Sequence, residues 1–321
     1  MGSEKRYRYP GINFYTKEDR DIFCGRTDDA LKLFNRVMLN NTLVLHGESG
    51  TGKSSLVQAG LIPLLEEFNE KSESQHKKQY LPLTIRLDSL RKINTNENRM
   101  LVHKNDPMDI PDLLVSQTLK LINEQYSFKN RKLPYIEEKA DSFWYIAKLF
   151  EKNNFTLLLI FDQFEEMQGF TKKQSEVFSE KLSELFVSTM PETIYKEYDQ
   201  ETAKLDQTKM SEEEKIEYNE NIKFLEQPLN IRILFVIRED KLGTMSLLAD
   251  YFPDILKNDF ILLPLDKNCA GKAIVEPAQK HGNFIFEPFN FDKEAVNHLL
   301  QNLADTVAER YDPIQLQIVC S

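Results

Sequence analysis

One short stretch near the N-terminus constrains the fold of this chain more than any other part of its sequence. Residues 47–54 match the pattern G-x-x-x-x-G-K-[ST] in full. The apolar run Thr42–His46 precedes them, and the amphipathic run Ser54–Glu67 follows. A strand, a tight glycine turn and a helix in this order direct backbone N–H groups and the positive end of a helix dipole at an anion. The stretch therefore predicts a phosphate-binding loop.

The side chains of this loop suit a nucleoside triphosphate bound with Mg²⁺. Lys53 can reach the β- and γ-phosphates, and the Ser54 hydroxyl can hold the metal ion. A Gly/Ser loop that only turns a strand into a helix is the alternative, and it does not account for the Lys-Ser pair in this register. The residues expected to contact the nucleotide here are Gly47, Glu48, Ser49, Gly50, Thr51, Gly52, Lys53, Ser54 and Ser55.

The composition narrows the class of protein. Of the 321 residues, 41% are hydrophobic and 29% are charged, which is typical of a globular protein, and the formal net charge is −10. The longest apolar run, Phe155–Phe161, is too short to cross a bilayer, and no apolar signal segment begins the chain. Three scattered cysteines, Cys24, Cys269 and Cys320, favour a reducing compartment. We therefore expect a cytoplasmic protein without membrane association, and the acidic charge argues against nucleic acid as a partner.

Apolar runs alternate with amphipathic stretches, which predicts an α/β fold with a parallel sheet flanked by helices, of the doubly wound nucleotide-binding kind. The predicted strands are Thr42–His46, Leu81–Leu87, Thr156–Phe161, Ile231–Ile237 and Phe260–Leu263. The predicted helices among them are Asp28–Leu39, Ser54–Glu67, Ile110–Tyr126, Asp141–Lys152 and Thr171–Met190.

Polar insertions interrupt this alternation at about residues 66–109 and 192–226. Within the first, Glu66–Tyr80 and Arg91–Asp109 are predicted to be surface loops. The second, Glu192–Glu226, is dense in Glu and Lys and is predicted to be an exposed helical hairpin. A solvated surface is the default interpretation of such a charged hairpin, and a surface that binds a protein partner is the alternative.

After Pro264 the alternation of strands and helices stops. Amphipathic helices are predicted at Asp266–His281 and Asp292–Arg310, with Asp292 as the N-cap of the second, and a further helix is predicted at Pro313–Cys320. We therefore expect a nucleotide-binding α/β domain over residues 1–265 and a helical lid subdomain over residues 266–321. The last helix is apolar and ends with the chain, so we expect the subdomain to be truncated.

A second acidic motif follows the apolar run Thr156–Phe161. Asp162 at its end is placed to order Mg²⁺ and its waters. Hydrolysis also needs a group that orients or polarises a water in line with the γ-phosphate, and Glu165 and Glu166 are the candidates, with Glu166 slightly favoured.

Arg238 directly follows the fourth predicted strand, Ile231–Ile237. A cation at this edge of the sheet can report whether the γ-phosphate is present. A salt bridge with Glu239 or Asp240 is the competing interpretation, and the spacing leaves the two open.

Together these motifs resemble the STAND class of P-loop ATPases, signal-transducing relatives of the AAA+ group. Tyr9–Phe14 resembles the Tyr-Pro-Gly element that opens the bacterial branch, and Asp19–Arg26 resembles its Gly-Arg element. Asp162–Glu166 is similar to the most specific signature of that branch. The resemblance covers nearly the whole chain, and the two insertions are its least typical parts.

The resemblance implies ATP or ADP as the nucleotide and adds roles to several residues. Phe23, Gly25 and Arg26 would lie against the adenine and ribose, and Arg238 would be the sensor-1 arginine. Pro313 would belong to a Gly-x-Pro element that packs on the base when ADP is bound, although this chain has no glycine there.

The resemblance also implies a molecular switch. In this class ADP holds the lid closed, and exchange for ATP allows opening and oligomerisation. We expect slow ATP hydrolysis, because Gln163 stands where AAA+ motors carry their catalytic Glu. We also expect an activated homo-oligomer within a larger bacterial signalling or anti-phage defence protein, with 192–226 as the surface for a protein partner. The alternatives are an AAA+ motor or loader acting on nucleic acid and a non-hydrolysing scaffold that holds ADP.

Overall fold

The computed structural model of the chain describes residues 5–73, 78–86, 132–137, 142–186, 190–252, 255–304 and 309–321. Its strands form one sheet in the order β2-β3-β4-β1-β5. Their bounds are β1 Thr42–Gly47, β2 Gln79–Arg86, β3 Phe155–Asp162, β4 Arg232–Arg238 and β5 Asp259–Ile261. The predicted parallel sheet of an α/β fold is thus confirmed, and Leu87 of the second predicted strand lies outside the described residues.

How far each strand is buried depends on its position in the sheet. β1, β3 and β4 are buried almost without interruption, as expected for parallel strands covered on both faces. β5 is short and partly exposed at one edge. β2 pairs in parallel with β3 from Gln79 opposite Phe155 to Arg86 opposite Asp162, so both strands end at the same level.

The described part of the chain also contains ten α-helices. They are α1 Thr27–Leu39, α2 Lys53–Ser55, α3 Ile62–Glu73, α4 Phe143–Lys152, α5 Lys172–Ser183, α6 Glu192–Ala203, α7 Glu212–Glu226, α8 Lys267–Gln279, α9 Lys293–Leu303 and α10 Pro313–Cys320. A π-helix, Leu56–Leu61, joins α2 to α3. Short 3₁₀-helices cover Lys17–Ile22, Phe164–Gly169, Glu184–Phe186, Gln207–Lys209 and Glu239–Leu248. Among these helices none has the length and apolar character needed to span a bilayer.

The loop predicted over Glu66–Tyr80 is wrong in its first part, because helix α3 continues to Glu73. Glu and Lys favour helices intrinsically, and two residues of this helix also form ion pairs, Glu66 with Lys17 and Glu67 with Arg20. The loop predicted at Arg91–Asp109 and the helix predicted at Ile110–Tyr126 lie outside the described residues.

Three predicted helix ends are also corrected. α5 stops at Ser183 and Met190 is not helical, α8 stops at Gln279, and α9 stops at Leu303. The residue after α9, Ala304, takes an extended conformation with φ −64° and ψ 132°. The predicted N-cap is confirmed, since the Asp292 carboxylate accepts hydrogen bonds from the next backbone N–H groups at 2.8 and 3.1 Å.

The insertion forms the predicted pair of helices, α6 and α7. Most of its side chains are exposed, but Ile194, Tyr198, Asn221 and Leu225 are buried, which anchors one face of the pair. Binding of a protein partner there stays a prediction.

The chain divides into two compact units. The first comprises Met1–Lys71, Leu234–Gly243 and Leu256–Ser321, and it contains the phosphate loop and helices α8–α10. The second comprises Ser72–Ile233 and Thr244–Ile255, and it contains β2, β3 and the insertion. The division between residues 265 and 266 into a nucleotide-binding domain and a lid stays a prediction.

Candidate functional site

The phosphate loop leaves the end of β1 and folds back on itself before α2. The Thr51 hydroxyl donates a hydrogen bond to the backbone oxygen of Glu48 at 2.9 Å, which closes the turn. The ammonium group of Lys53 donates to the backbone oxygens of Gly47 at 2.9 Å and Glu48 at 2.7 Å. The Lys53 side chain thus folds back over the loop, and a contact of Lys53 with phosphate stays a prediction.

The middle of the loop meets the start of helix α10. Gly50 has a φ of +87°, a left-handed conformation that favours glycine. A Cβ atom on Gly50 would lie 3.2 Å from both carboxylate oxygens of Asp312 and 3.3 Å from the Ile314 side chain. Asp312 caps α10 by accepting a hydrogen bond from the Ile314 N–H at 3.0 Å, and Pro313 is the first residue of that helix. A carboxylate therefore stands beside a loop whose amides attract anions.

Arg26 connects the loop to the Gly-Arg segment. It is 6% exposed, and its guanidinium donates to the Thr51 backbone oxygen at 2.9 Å and to the Asp29 carboxylate at 2.7 Å. Burial lowers the pKa of Arg26, and the hydrogen bond to Asp29 opposes that shift. A Cβ atom on the preceding Gly25, whose φ is +83°, would lie 2.3 Å from the Cys269 backbone oxygen. Only glycine lets this segment lie so close to α8.

A cavity of about 420 Å³ opens beside this segment. That volume falls within the range of small-molecule sites. Its walls mix apolar, basic and acidic groups, among them Gly25, Arg26, Leu263, Asp266, Lys272 and Arg310. Because Arg26 both lines the cavity and bonds to the loop, it joins the two features.

Two residues that are predicted to contact the nucleotide, Phe23 and Ser55, have side chains that contact Tyr15 of the N-terminal segment. The Phe23 ring lies 5.3 Å from the Tyr15 ring, centroid to centroid. Ser55 is 7% exposed, and its hydroxyl accepts a hydrogen bond from the Tyr15 N–H at 3.1 Å. These contacts hold the N-terminal segment against the helix that follows the loop, and a contact of either residue with nucleotide stays a prediction.

Arg238 forms one of the salt bridges that the sequence left open. Its guanidinium makes two hydrogen bonds to Asp240, at 2.9 and 3.0 Å, and its side chain is 42% exposed. A sensing role for Arg238 stays a prediction, and it would require Arg238 to exchange this partner.

The second acidic motif lies in the second unit. Asp162 is 1% exposed at the end of β3, and the Arg86 guanidinium donates to one of its carboxylate oxygens at 3.0 and 2.6 Å. Sequence reasoning missed Arg86. The signal available was a second strand ending in a charged residue, but only the pairing of β2 with β3 places the two residues opposite each other.

The residues after Asp162 take an unusual backbone path. Gln163 has φ +61° and ψ +48°, a left-handed conformation that costs a non-glycine residue roughly 1–2 kcal/mol. In the 3₁₀-helix that follows, Phe164 and Met167 are fully buried, because side chains three residues apart share a face. Glu165 and Glu166 lie between them and are half-buried. The buried pair therefore fixes the two carboxylates near the surface.

The oxygen donors of the two motifs fit Mg²⁺. Carboxylate and hydroxyl oxygens, the groups that Asp162 and Ser54 carry, are the ligands this ion prefers. Within the described ranges no group of three or more His, Cys, Asp or Glu residues is placed to hold a metal ion. Mg²⁺ that arrives with a nucleotide keeps several waters and does not need such a group.

Several solved structures are similar to this chain. The ORC1 protein of Aeropyrum pernix, solved in complex with DNA, is 10% identical, with a TM-score of 0.48, over 97% of this chain and 63% of that one. A Walker-type ATPase of Pyrococcus abyssi is 13% identical, with a TM-score of 0.46, over 95% of this chain and 67% of that one. The Aeropyrum pernix ORC2 protein with ADPNP and ADP is 13% identical, with a TM-score of 0.44, over 98% of this chain and 63% of that one. This chain thus spans less than two thirds of the first structure's length.

The family comparison is more specific. No curated protein matches the sequence. The family described as novel STAND NTPase 1 matches residues 9–310, which include the loop at residues 47–54 and the acidic motif at residues 162–166. The resemblance to STAND ATPases is confirmed, and nucleotide binding and NTP hydrolysis are the chemistry of the family. The chain belongs to the novel STAND NTPase 1 family.

Proposed function

We propose that the chain is an ATP-binding, slowly hydrolysing switch. It serves as the nucleotide-dependent oligomerisation module of a larger cytoplasmic protein in bacterial signalling or anti-phage defence. The observation that carries this proposal is the contact between Asp312 and Gly50. The first helical turn of α10 lies against the phosphate loop. Binding of a phosphate in the loop therefore affects that turn.

The structure supports a path for the nucleotide through the first unit. Phosphates accept hydrogen bonds from the loop amides and from Lys53. The ribose and base extend past Arg26 toward the cavity that Gly25 and Arg26 line, since Arg26 already contacts the loop at Thr51. In this proposal α8 and α10 border the nucleotide, as a lid would.

Hydrolysis depends on the second acidic motif. Mg²⁺, when bound, neutralises charge that develops on the phosphates, and Ser54 and Asp162 are the residues proposed to hold it. Glu165 or Glu166 orients the attacking water. Gln163 cannot accept a proton as a carboxylate does, which supports slow turnover of the kind a switch needs.

The proposal is tested by measuring the molar mass of the chain in solution with ADP and with a non-hydrolysable ATP analogue. A monomer with ADP and a larger assembly with the analogue are expected, and Lys53→Ala is expected to stay monomeric with both. Equal mass with both nucleotides, each shown to be bound, would favour the ADP scaffold. Binding of DNA that requires ATP and weakens steeply with salt would favour the loader.

Asp312→Asn is expected to tighten ADP binding by about five- to tenfold, because it removes a negative charge beside the phosphates. The amide oxygen of Asn still caps α10, so the helix keeps its first hydrogen bond. Calorimetric titration with ADP measures the change, and Asp292→Asn, at the equivalent cap of α9, is the matched control. An unchanged affinity would show that the carboxylate leaves the loop when nucleotide binds.

A further inference from the structure

The N-terminal segment makes contacts to which the switch proposal gives no role. Residues 6–16, which we call the strap, run between the segment that joins α8 to α9 and helix α2 at the end of the phosphate loop. At one end of the strap, the Arg6 N–H donates a hydrogen bond to the Asn283 backbone oxygen at 3.0 Å. At the other end, the Tyr15 N–H donates to the Ser55 hydroxyl at 3.1 Å. All of these residues lie in the first unit, together with the phosphate loop.

Helix α10 contacts both the phosphate loop and the strap. Its N-cap lies beside Gly50 of the loop. Further along the helix, the Gln317 side-chain amide is hydrogen-bonded to the Tyr15 hydroxyl. At the C-cap, a Cβ atom on Gly11 of the strap would lie 3.8 Å from the Cβ atom of Ser321. Helix α10 can therefore leave the loop only if its contacts with the strap break, or if the strap leaves with it.

A small apolar cluster holds the strap in place. Its buried members come from the strap, the 3₁₀-helix after it, the π-helix and the segment between α8 and α9, and they are Tyr15, Ile22, Ala59 and Phe284. The Arg8 guanidinium lies 4.3 Å from the centroid of the Phe284 ring and donates to two backbone oxygens of the same segment. Movement of that segment therefore disturbs the strap.

The strap is bound at an energetic cost. Arg8 is 5% exposed and Gln317 is 7% exposed. Among the described residues, the Nε atom of Arg8 and the Oε1 atom of Gln317 have no hydrogen-bond partner, and no carboxylate pairs with Arg8. A buried polar atom without a partner is destabilising, and a buried charge without a counter-ion is more so. Release of the strap would return both groups to water, so the closed contact is poised to open.

We propose that the strap is a latch on α10. It holds this helix against the phosphate loop while ADP is bound, and it has to release before the chain assembles. The strap thus stabilises the closed one of two states, and binding of ATP has to overcome that stabilisation. The inference rests on the proposed function, in which the bound nucleotide controls oligomerisation.

The test locks the strap to α10 with a disulfide, by combining Gly11→Cys with Ser321→Cys. The Cβ separation of 3.8 Å is that of a disulfide. Cys320→Ala is added so that the neighbouring native thiol takes no part. Because the φ of Gly11 is +66°, a side chain there strains the backbone, but it does so equally in both redox states. The same protein is compared after oxidation with glutathione disulfide and after reduction with dithiothreitol.

With a non-hydrolysable ATP analogue, the oxidised protein is expected to stay monomeric and the reduced protein to assemble like wild type. The cross-link is also expected to slow the release of a fluorescent ADP analogue by about tenfold or more, a coupling of the size found between linked sites. Cys320→Ala alone is the control, and it is expected to behave alike in both redox states.

Tyr15→Phe tests the latch without a cross-link. It removes only the hydroxyl that Gln317 contacts and keeps the ring in the cluster. Release of ADP is expected to be about three- to tenfold faster, which corresponds to the loss of one hydrogen bond. Tyr7→Phe is the matched control, because Tyr7 lies on the same strap and is 63% exposed. A hydroxyl needed only for folding would leave the release rate unchanged and would lower the unfolding midpoint equally with and without ADP.

Either of two results overturns the inference. One is a cross-linked, oxidised protein that assembles with the ATP analogue as fully as the reduced protein does. The other is a Tyr15→Phe protein that releases ADP at the wild-type rate. Wild-type protein that binds the analogue and stays monomeric contradicts the proposed function instead, so the two failures are distinguishable.

Discussion

Lys53→Ala is expected to weaken binding of ADP and ATP by about 100- to 1000-fold. The Lys53 ammonium donates to two backbone oxygens of the phosphate loop, and in the proposed function it donates to phosphate oxygens instead when nucleotide binds. Charge-assisted hydrogen bonds contribute roughly 1.5–3 kcal/mol each. Two of them at the lower end of this range, about 1.5–2 kcal/mol each, correspond to the stated loss, since each 1.4 kcal/mol is about tenfold in affinity.

The measurement is the nucleotide released from purified, denatured protein, together with a calorimetric titration. Lys172→Ala is the matched control, because its side chain is 89% exposed and lies in the second unit. It is expected to bind like wild type. If Lys53→Ala retained wild-type nucleotide content, the phosphate loop would not be the binding site.

The features predicted correctly from sequence are those that depend on local patterns. The strands follow from apolar runs such as Thr156–Phe161, and the strand, turn and helix around residues 47–54 follow from glycines and a Lys-Ser pair at fixed spacing. The cap at Asp292 follows from the same kind of local signal.

The features that sequence could not supply depend on contacts between distant parts of the chain. Arg86 and Asp162 meet because β2 and β3 pair in one particular register. Asp312 reaches Gly50 because the start of α10 lies against the loop. Helix α3 continues past its predicted end at Glu67, and Glu66 and Glu67 form ion pairs with Lys17 and Arg20 of the N-terminal segment. None of these pairings leaves a periodic signal in the sequence.

The buried cation Lys148 was missed for the same reason. It lies on α4 and is fully buried, and its ammonium donates to the Glu151 carboxylate at 3.1 Å and to the Gln227 backbone oxygen at 2.7 Å. Glu151 also accepts a hydrogen bond from the Asn230 N–H at 2.6 Å. The pair therefore connects α4 to Gln227, just after the insertion, and to Asn230, just before β4.

Lys148→Met is expected to lower the free energy of unfolding by about 3–5 kcal/mol, because it leaves the buried Glu151 carboxylate without its cation. Adding Glu151→Gln is expected to recover most of the loss, since replacing both partners of a buried ion pair by neutral groups is often nearly neutral. Denaturant unfolding measures both variants. Lys196→Met, in an exposed ion pair with Glu192, is the control and should change stability by less than about 0.5 kcal/mol.

The pH dependence gives an independent check. Burial lowers the pKa of Lys148, and Glu151 opposes that shift. Between this lowered pKa and the ordinary lysine pKa, the unfolded chain binds more protons than the folded one, so the Lys148 contribution to stability rises with pH in that window. Burial raises the pKa of Tyr198 to about 12. Above the ordinary tyrosine pKa this group therefore lowers the stability as the pH rises, and it does so in every variant. The difference in stability between wild type and the double variant should therefore rise with pH. A difference that does not change with pH would mean that Lys148 keeps its usual pKa in the folded protein.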